Sequence, residues 1–311
     1  QWFRMNPIDC IWLLLSLCFF FAFCIHVCAH SSDKYGGSWV YVLFQDFIRY
    51  GKTKTTLQRS DLLRYFDVPK RWFFHFYAVS VIWNSLLLTI CLQKTLLGKQ
   101  FPGWLESTLS FLNGGTATPG TGEQFSLLLV QVLLCAHSLR RLLECLFVSV
   151  FSNGVIHLAQ YGFGLGYYIL LGLTVLCTNI HTEHEGGVLA QVRWNHFAGV
   201  GLFVWASVHQ HRCHVILANL RKGRSGEVLT LAHCVPHGDW FRLVSCPHYF
   251  AELLIYVSYC VALGGGAPTW WLVVLYVFCC QALEAVLCHQ FYLAKFDSYP
   301  KHRKAFIPLV L

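Results

Sequence analysis

The chain has 311 residues, of which 56% are hydrophobic and only 12% charged, with a mean hydropathy of +0.50. A water-soluble domain carries about 25% charge, so a wholly water-facing surface is excluded; apolar runs of roughly 20 residues facing hydrocarbon take its place. The net charge of +8, from 23 Lys and Arg against 15 Asp and Glu, flanks those runs without forming a long basic stripe, which fits membrane topology and argues against nucleic-acid binding.

In chain order the apolar runs predict helical spans at about 9–29, 73–93, 125–151, 155–178, 193–216, 248–266 and 269–290, seven in all. The first, centred on Ile11 to Ile25, lacks a basic leader and a small-residue cleavage pattern, so it reads as a retained helix. The runs are continuous rather than alternating, which favours helices over a membrane barrel. Gly162, Gly164 and Gly166 in the fourth run read as small-residue surfaces for close helix packing. Three polar linkers separate these spans. Residues 31–71 carry Gln45, Asp46, Arg49, Lys52 and Lys54; residues 97–124 include a Gly/Pro/Thr-rich stretch from Gly114 to Gly122, expected to be a solvent loop; residues 217–247 are the longest. The tail, 291–311, is basic. With seven crossings, the stretch after the first, the linker at 217–247 and the tail share one face, and their Lys and Arg content makes that face cytoplasmic, with the N-terminus opposite.

The 15 cysteines lie mostly inside apolar runs, among them Cys18, Cys24, Cys91, Cys135, Cys145, Cys279 and Cys280, and read as small hydrophobes rather than a disulfide or zinc frame. His209, His211 and His214 form HxHxxH, but residues two apart on a helix point to different faces, so no metal is expected. No glycine-rich dinucleotide fingerprint follows a strand, so a Rossmann domain is absent.

The polar residues that carry chemistry sit inside apolar surroundings, where charge is costly and usually lines a cavity. Arg140, Arg141 and Glu144 lie in one helix, with Arg141 and Glu144 three apart and close enough to pair, and His137 and Ser138 one turn earlier. Gln45 and Asp46 follow an aromatic stretch, where a protonated Asp would donate a hydrogen bond to a carbonyl oxygen. His75 and Tyr77 open the second span; an interfacial aromatic belt accounts for the tyrosine but not for the histidine.

Taken as a series, these segments carry a resemblance. FQDFIRYGK from Phe44 to Lys52, FDVPKR from Phe66 to Arg71, HSLRR from His137 to Arg141 with Glu144, and HVILANLRK from His214 to Lys222 are similar to the steroid 5-alpha-reductase family, in its type 3 branch of polyprenol reductases. GDW at Gly238–Trp240, PHYFAE at Pro247–Glu252, HQFY at His289–Tyr292 and YPKHRKAFIP at Tyr299–Pro308 extend the likeness, which covers about residues 40–311. The resemblance implies an all-α, multi-pass transmembrane bundle of about seven helices in the endoplasmic reticulum membrane, acting as a monomer on a long-chain polyisoprenoid lipid with NADPH. Residues 1–311 form one membrane domain; residues 1–150 are expected to line the lipid site and residues 151–311 to form most of the NADPH pocket. Carried over residue by residue, the cofactor pocket draws on Arg141, Gln210, His214, Arg221, Lys222, His248, Glu252, His289 and Tyr292, and the substrate site on Gln45, His75 and Glu144. Where steroid reductases set a glutamate and a tyrosine at the substrate carbonyl, this chain has Asp46 and Ser138, which leaves Asp46, His137, Ser138 and Tyr77 as candidate catalytic donors. His248 stands where the family usually has Asn, and Glu284 where a steroid reductase has a basic residue.

Chemistry sharpens the substrate. The double bond of an allylic alcohol is not electrophilic, so a hydride arriving there leaves its charge nowhere to go. In the α,β-unsaturated aldehyde that charge runs to oxygen as an enolate. The species reduced directly is therefore expected to be polyprenal, on the route from polyprenol to dolichol that serves protein N-glycosylation. Two rival readings are a membrane methyltransferase binding S-adenosylmethionine, and a lipid carrier or transporter; the latter calls for inverted repeats that the sequence lacks.

Overall fold

The computed structural model describes residues 5–30, 38–55, 57–115, 124–178 and 187–311. Its long helices begin and end where local chemistry permits. Proline opens α1 (Pro7–His30), α9 (Pro247–Ala262) and α10 (Pro268–Lys295), at a position where the missing N–H is unpaired in any helix. Gly98, with φ of +64°, ends α4 (Phe74–Leu97) in a left-handed cap. The other long helices are α6 (Gln124–Leu143), α7 (Leu158–Cys177) and α8 (Trp194–Asn219). These seven helices coincide with the seven expected spans. Five stretches are long and apolar enough to cross a membrane: Pro7–Ala29, Lys70–Leu97, Gln124–Val148, Leu158–Cys177 and Pro268–Lys295. The chain is thus a multi-pass membrane protein. The two remaining helices differ for a physical reason: α8 carries His209, Gln210, His211, Arg212 and His214, and α9 is only 16 residues long.

The linkers hold more structure than expected. Residues 31–71 contain α2 (Trp39–Ile48) and α3 (Asp61–Tyr65), and residues 97–124 contain α5 (Gly103–Leu112). At about 1.5 Å per residue, none of these reaches across a bilayer. The predicted solvent loop lies outside the described residues from Thr116 onward. A two-stranded antiparallel ribbon, β1 (Asp67–Pro69) on β2 (Val155–His157), interrupts the otherwise helical chain.

Packing follows two groupings. Helices α4, α6 and α7 pack together, and so do α8 and α9, with α1 against α10. Small residues allow the closest approaches. A side chain at Gly199 would meet the backbone of Ala262 at 2.8 Å, so only glycine lets α8 lie against the end of α9. Of the three glycines expected to pack helices, Gly164 does so, against the Phe76 ring, while Gly162 and Gly166 face open space. The apolar core is threaded by polar ties that a bilayer interior requires to be satisfied: Trp12 Nε1 donates to Thr174 Oγ1 (3.0 Å), Trp270 Nε1 to Thr178 Oγ1 (2.8 Å) and Gln131 Nε2 to Asn84 Oδ1 (3.1 Å). All 15 cysteines are free thiols.

Candidate active site

Two cavities meet in the body of the bundle. One, of 220 Å³, is lined by cations from distant parts of the chain: Lys52, Lys70, Arg141 and Arg221, with His214, His233 and His248. The other, of 390 Å³, has a largely aromatic wall that includes Phe73, Phe76, Tyr77, Phe163, Tyr167, Tyr168, Tyr256 and Tyr276. Tyr50, Phe73, Arg141, His214, His248, Tyr249 and Glu284 belong to both walls and form the junction. The basic wall collects residues 50–53, 149–152, 217–234 and 284–292. Each of these stretches lies at or near the C-terminal end of an odd-numbered predicted span or in the linker that follows one.

The junction is organised by Glu144, which opens a π turn (Glu144–Val148) at the end of α6. Such turns widen a helix by one residue and commonly sit at functional sites. The Glu144 carboxylate accepts from Arg140 Nη1 (2.6 Å), from Arg141, from His211 Nδ1 (2.9 Å) and from His214 Nδ1 (2.8 Å). His214 Nδ1 also lies 2.7 Å from Arg141 Nη1. Arg141 turns its Nε to the Tyr77 hydroxyl (3.3 Å) and lies 4.9 Å from the centre of that ring. Tyr77 thus accepts from a guanidinium, and its side chain lines the aromatic cavity. A second network joins α6, α8 and α9: Arg140 donates to Gln210, and Gln210 to Glu252 and to the His248 carbonyl (3.1 Å). His248 Nδ1 is buried with no protein partner, an orphan donor or acceptor at the junction.

Several predicted residues come together here and several do not. Arg141, His214 and His248 line both cavities, Tyr77, Gln210 and Glu252 the aromatic one, and Arg221 and Tyr292 the basic one. Lys222 sits just behind, with Nζ on the Val148 carbonyl at 3.1 Å, while Arg221 Nη1 holds the Val150 carbonyl at 2.5 Å. His289 is bonded to Ser245 Oγ (2.7 Å), away from either wall. Glu144 lines neither cavity but holds the residues that do.

The remaining candidates are engaged elsewhere. Asp46 is fully buried between Lys54 (3.1 Å) and Arg59 (2.9 Å), and Arg59 continues to Asp67 (2.8 Å), a cluster that ties α2 to β1. His137 donates Nε2 to Glu252 (3.2 Å) and accepts from Arg140 on Nδ1 (3.2 Å), so neither nitrogen faces a cavity. Ser138 bonds Ser80 (2.7 Å), His75 bonds Tyr161 (2.8 Å), and Gln45 links His26 to Arg49. The geometry therefore places Asp46, His137, Ser138, His75 and Gln45 in the framework, outside both cavity walls. Each is bonded to at least one protein group, and none lines either cavity. The HxHxxH histidines likewise part company: His209 pairs with Asp239 (2.9 Å), whereas His211 and His214 share Glu144.

Sequence reasoning did not single out Lys70, His233, Tyr50 or Tyr249 as site residues. The signal in the sequence is their place in or beside the two polar linkers, 31–71 and 217–247. Gly51 makes the placement possible: its φ is +57°, a Cβ on it would meet the Lys70 side chain, and a Cβ on Gly154 would meet the Gly51 backbone at 2.7 Å. The turn it makes carries Tyr50 and Lys52 over the cavities. Lys52 lies 3.9 Å from the Tyr292 ring centre; although burial alone would lower it, Cys288 and Tyr292 raise its ammonium above the usual range. Burial, reinforced by the nearby Arg221 and Lys52, pushes the His233 imidazole down to about 4. At neutral pH the basic cavity is therefore positive through lysine and arginine, with His233 uncharged.

Comparisons with known proteins identify the family. A family described as 3-oxo-5-alpha-steroid 4-dehydrogenase matches residues 156–311. Polyprenal reductase of Xenopus tropicalis is 54% identical over 309 residues, covering 98% of this chain and 100% of the relative. Polyprenal reductase of Danio rerio is 53% identical over 309 residues, with 99% of each chain covered. The Homo sapiens protein of the same name is 49% identical over 313 residues, covering 98% and 96%.

Proposed function

The chain belongs to the steroid 5-alpha-reductase family, in its polyprenal reductase branch, and from that premise we propose that it reduces the α,β double bond of polyprenal at the junction of the two cavities. It is an oxidoreductase acting on a CH–CH group. The single observation that carries the reading is the shared wall: Arg141, His214 and His248 face a basic cavity on one side and an aromatic one on the other. A long isoprenoid needs the second and cannot leave lipid, while a polyanionic cofactor needs the first.

NADPH fits the residues present. Lys52, Lys70 and Arg221 supply cations for its phosphates, and Glu284 is the sole carboxylate in the basic wall. The unpartnered His248 Nδ1 is a ready polar contact at the inner end. When bound, NADPH supplies the hydride. The protein's own part begins with orientation: the aromatic wall holds the isoprenoid and excludes water, which strengthens every electrostatic interaction at the junction. Negative charge then develops on the aldehyde oxygen. Tyr77 can donate its hydroxyl proton in a hydrogen bond to that oxygen, and Arg141, whose Nε reaches the same hydroxyl, stabilises the charge through it. Glu144 keeps Arg141 in place. We place the enzyme in the endoplasmic reticulum membrane as a monomer, with the basic cavity and the C-terminus cytoplasmic, supplying the saturated lipid for dolichol and protein N-glycosylation.

The test is turnover by purified protein in detergent or bilayer, given NADPH with either polyprenal or polyprenol. Reduction of the aldehyde without any requirement for the alcohol supports the assignment. Preferential reduction of the alcohol, or binding of S-adenosylmethionine in place of NADPH, rejects it.

A further inference from the structure

Reduction of an enal needs two acids, and Tyr77 serves only one of them. A donor at oxygen stabilises the enolate, but the α-carbon must also acquire a proton. A group suited to the second task has to reach the lipid-side cavity during reaction and regain its proton from the aqueous side afterwards.

Glu284 meets both conditions. It lies in α10, is 8% exposed and lines both cavities. Among the described residues it has no hydrogen bond or ion pair. The other carboxylates near the junction are spoken for: Glu144 by two arginines and two histidines, Glu252 by His137 and Gln210. A buried carboxyl with no cation in contact is costly as a bare anion, which suits it to carry a transferable proton that the basic cavity can replace. The charged and titratable groups around it are Lys70 and Arg49, which act on it at a distance, Tyr50 and Tyr249, and Cys280 and Cys288 one turn away on its own helix. Tyr50 and Tyr249 bond each other through their hydroxyls at 3.0 Å, and neither is hydrogen-bonded to Glu284.

Resting on the polyprenal reading above, we propose that Glu284 is the catalytic acid that protonates the α-carbon, while Tyr77 holds the oxygen. In the step, the hydride forms a C–H bond at the β-carbon and the C=C π pair moves to give the enolate. The enolate pair then takes the proton from the Glu284 carboxyl to form the α C–H bond and restore the C=O. The resulting carboxylate is reprotonated from water through the basic cavity. The sum is enal plus NADPH plus one proton giving saturated aldehyde plus NADP⁺.

The experiment runs wild type, Glu284→Gln and Glu284→Asp with NADPH and polyprenal in D2O, trapping the product as the alcohol with borohydride. The position and configuration of deuterium are read by NMR, and NADP⁺ affinity by tryptophan fluorescence. Wild type should place one deuterium at the α-carbon in a single configuration. Glu284→Gln should lower kcat by about 100-fold with NADP⁺ affinity unchanged, its residual product should carry deuterium in both configurations, and Glu284→Asp should recover part of the rate. Unchanged kcat in Glu284→Gln, a single configuration in its product, or a loss of NADP⁺ affinity that accounts for the loss of rate each overturns the role. Failure of wild type to reduce polyprenal overturns the functional reading itself, and with it this assignment. Turnover by wild type and Glu284→Gln alike overturns only the assignment.

Discussion

Replacing Tyr77 by Phe removes one oxygen and leaves the ring, so the packing of the aromatic wall against Phe73 and Tyr168 is retained. What is lost is the donor to the aldehyde oxygen and the acceptor for Arg141 Nε at 3.3 Å. Loss of one preorganised oxyanion donor costs roughly 2.7–4 kcal/mol of transition-state stabilisation, or about 10²–10³ in kcat. Arg141 retains its ion pair to Glu144, so the fold should lose no more than about 1–3 kcal/mol from one orphaned charged donor. Tyr77 is absent from the basic wall, so NADPH affinity should be nearly unchanged. The assay is single-turnover oxidation of NADPH by saturating polyprenal, paired with NADP⁺ binding by fluorescence. If kcat falls less than about threefold, or if cofactor affinity falls in step with kcat, Tyr77 does not hold the oxygen and the division of labour between the cavities is mistaken.

Other substitutions separate framework from site. Asp46→Asn weakens two buried ion pairs, to Lys54 and Arg59, and should lower thermal stability by about 3 kcal/mol or more while leaving the kcat of the folded fraction within about twofold; a thermal melt with an active-site titration checks both. Arg221→Ala removes a cation from the basic wall and should weaken NADPH binding by about 10- to 100-fold, corresponding to about 1.5–3 kcal/mol for a charged contact, with little change in kcat at saturation. For pH, His233 sits at about 4 in the free protein, so it is neutral near pH 7. A bound phosphate raises that pKa, so binding takes up a proton; NADP⁺ affinity should strengthen as pH falls from 7 towards 5, and His233→Gln should flatten the dependence in a fluorescence titration.

Much of this protein is legible in its residues because the bilayer is a strict solvent. Hydrocarbon demands long apolar runs with internally bonded backbone, so the seven long helices and their order follow from the pattern. The resemblance in the motifs likewise identifies Arg141, His214, His248, Arg221 and Tyr292 as one set, and they do line connected cavities. Composition and motif could not say which polar residues are already satisfied. Asp46 and Ser138 look like catalytic donors in sequence because an isolated polar group in apolar surroundings is costly. Only the folded chain shows that Lys54, Arg59 and Ser80 take up that cost, whereas Tyr77 lines the aromatic cavity and Glu284 lines both. Hydrogen-bond partners lie from 3 to 199 residues apart here, across helices whose rotations are set by packing such as Gly199 on Ala262. Periodicity places a residue on a helix face; tertiary packing decides what meets that face, and therefore which acid remains free to react.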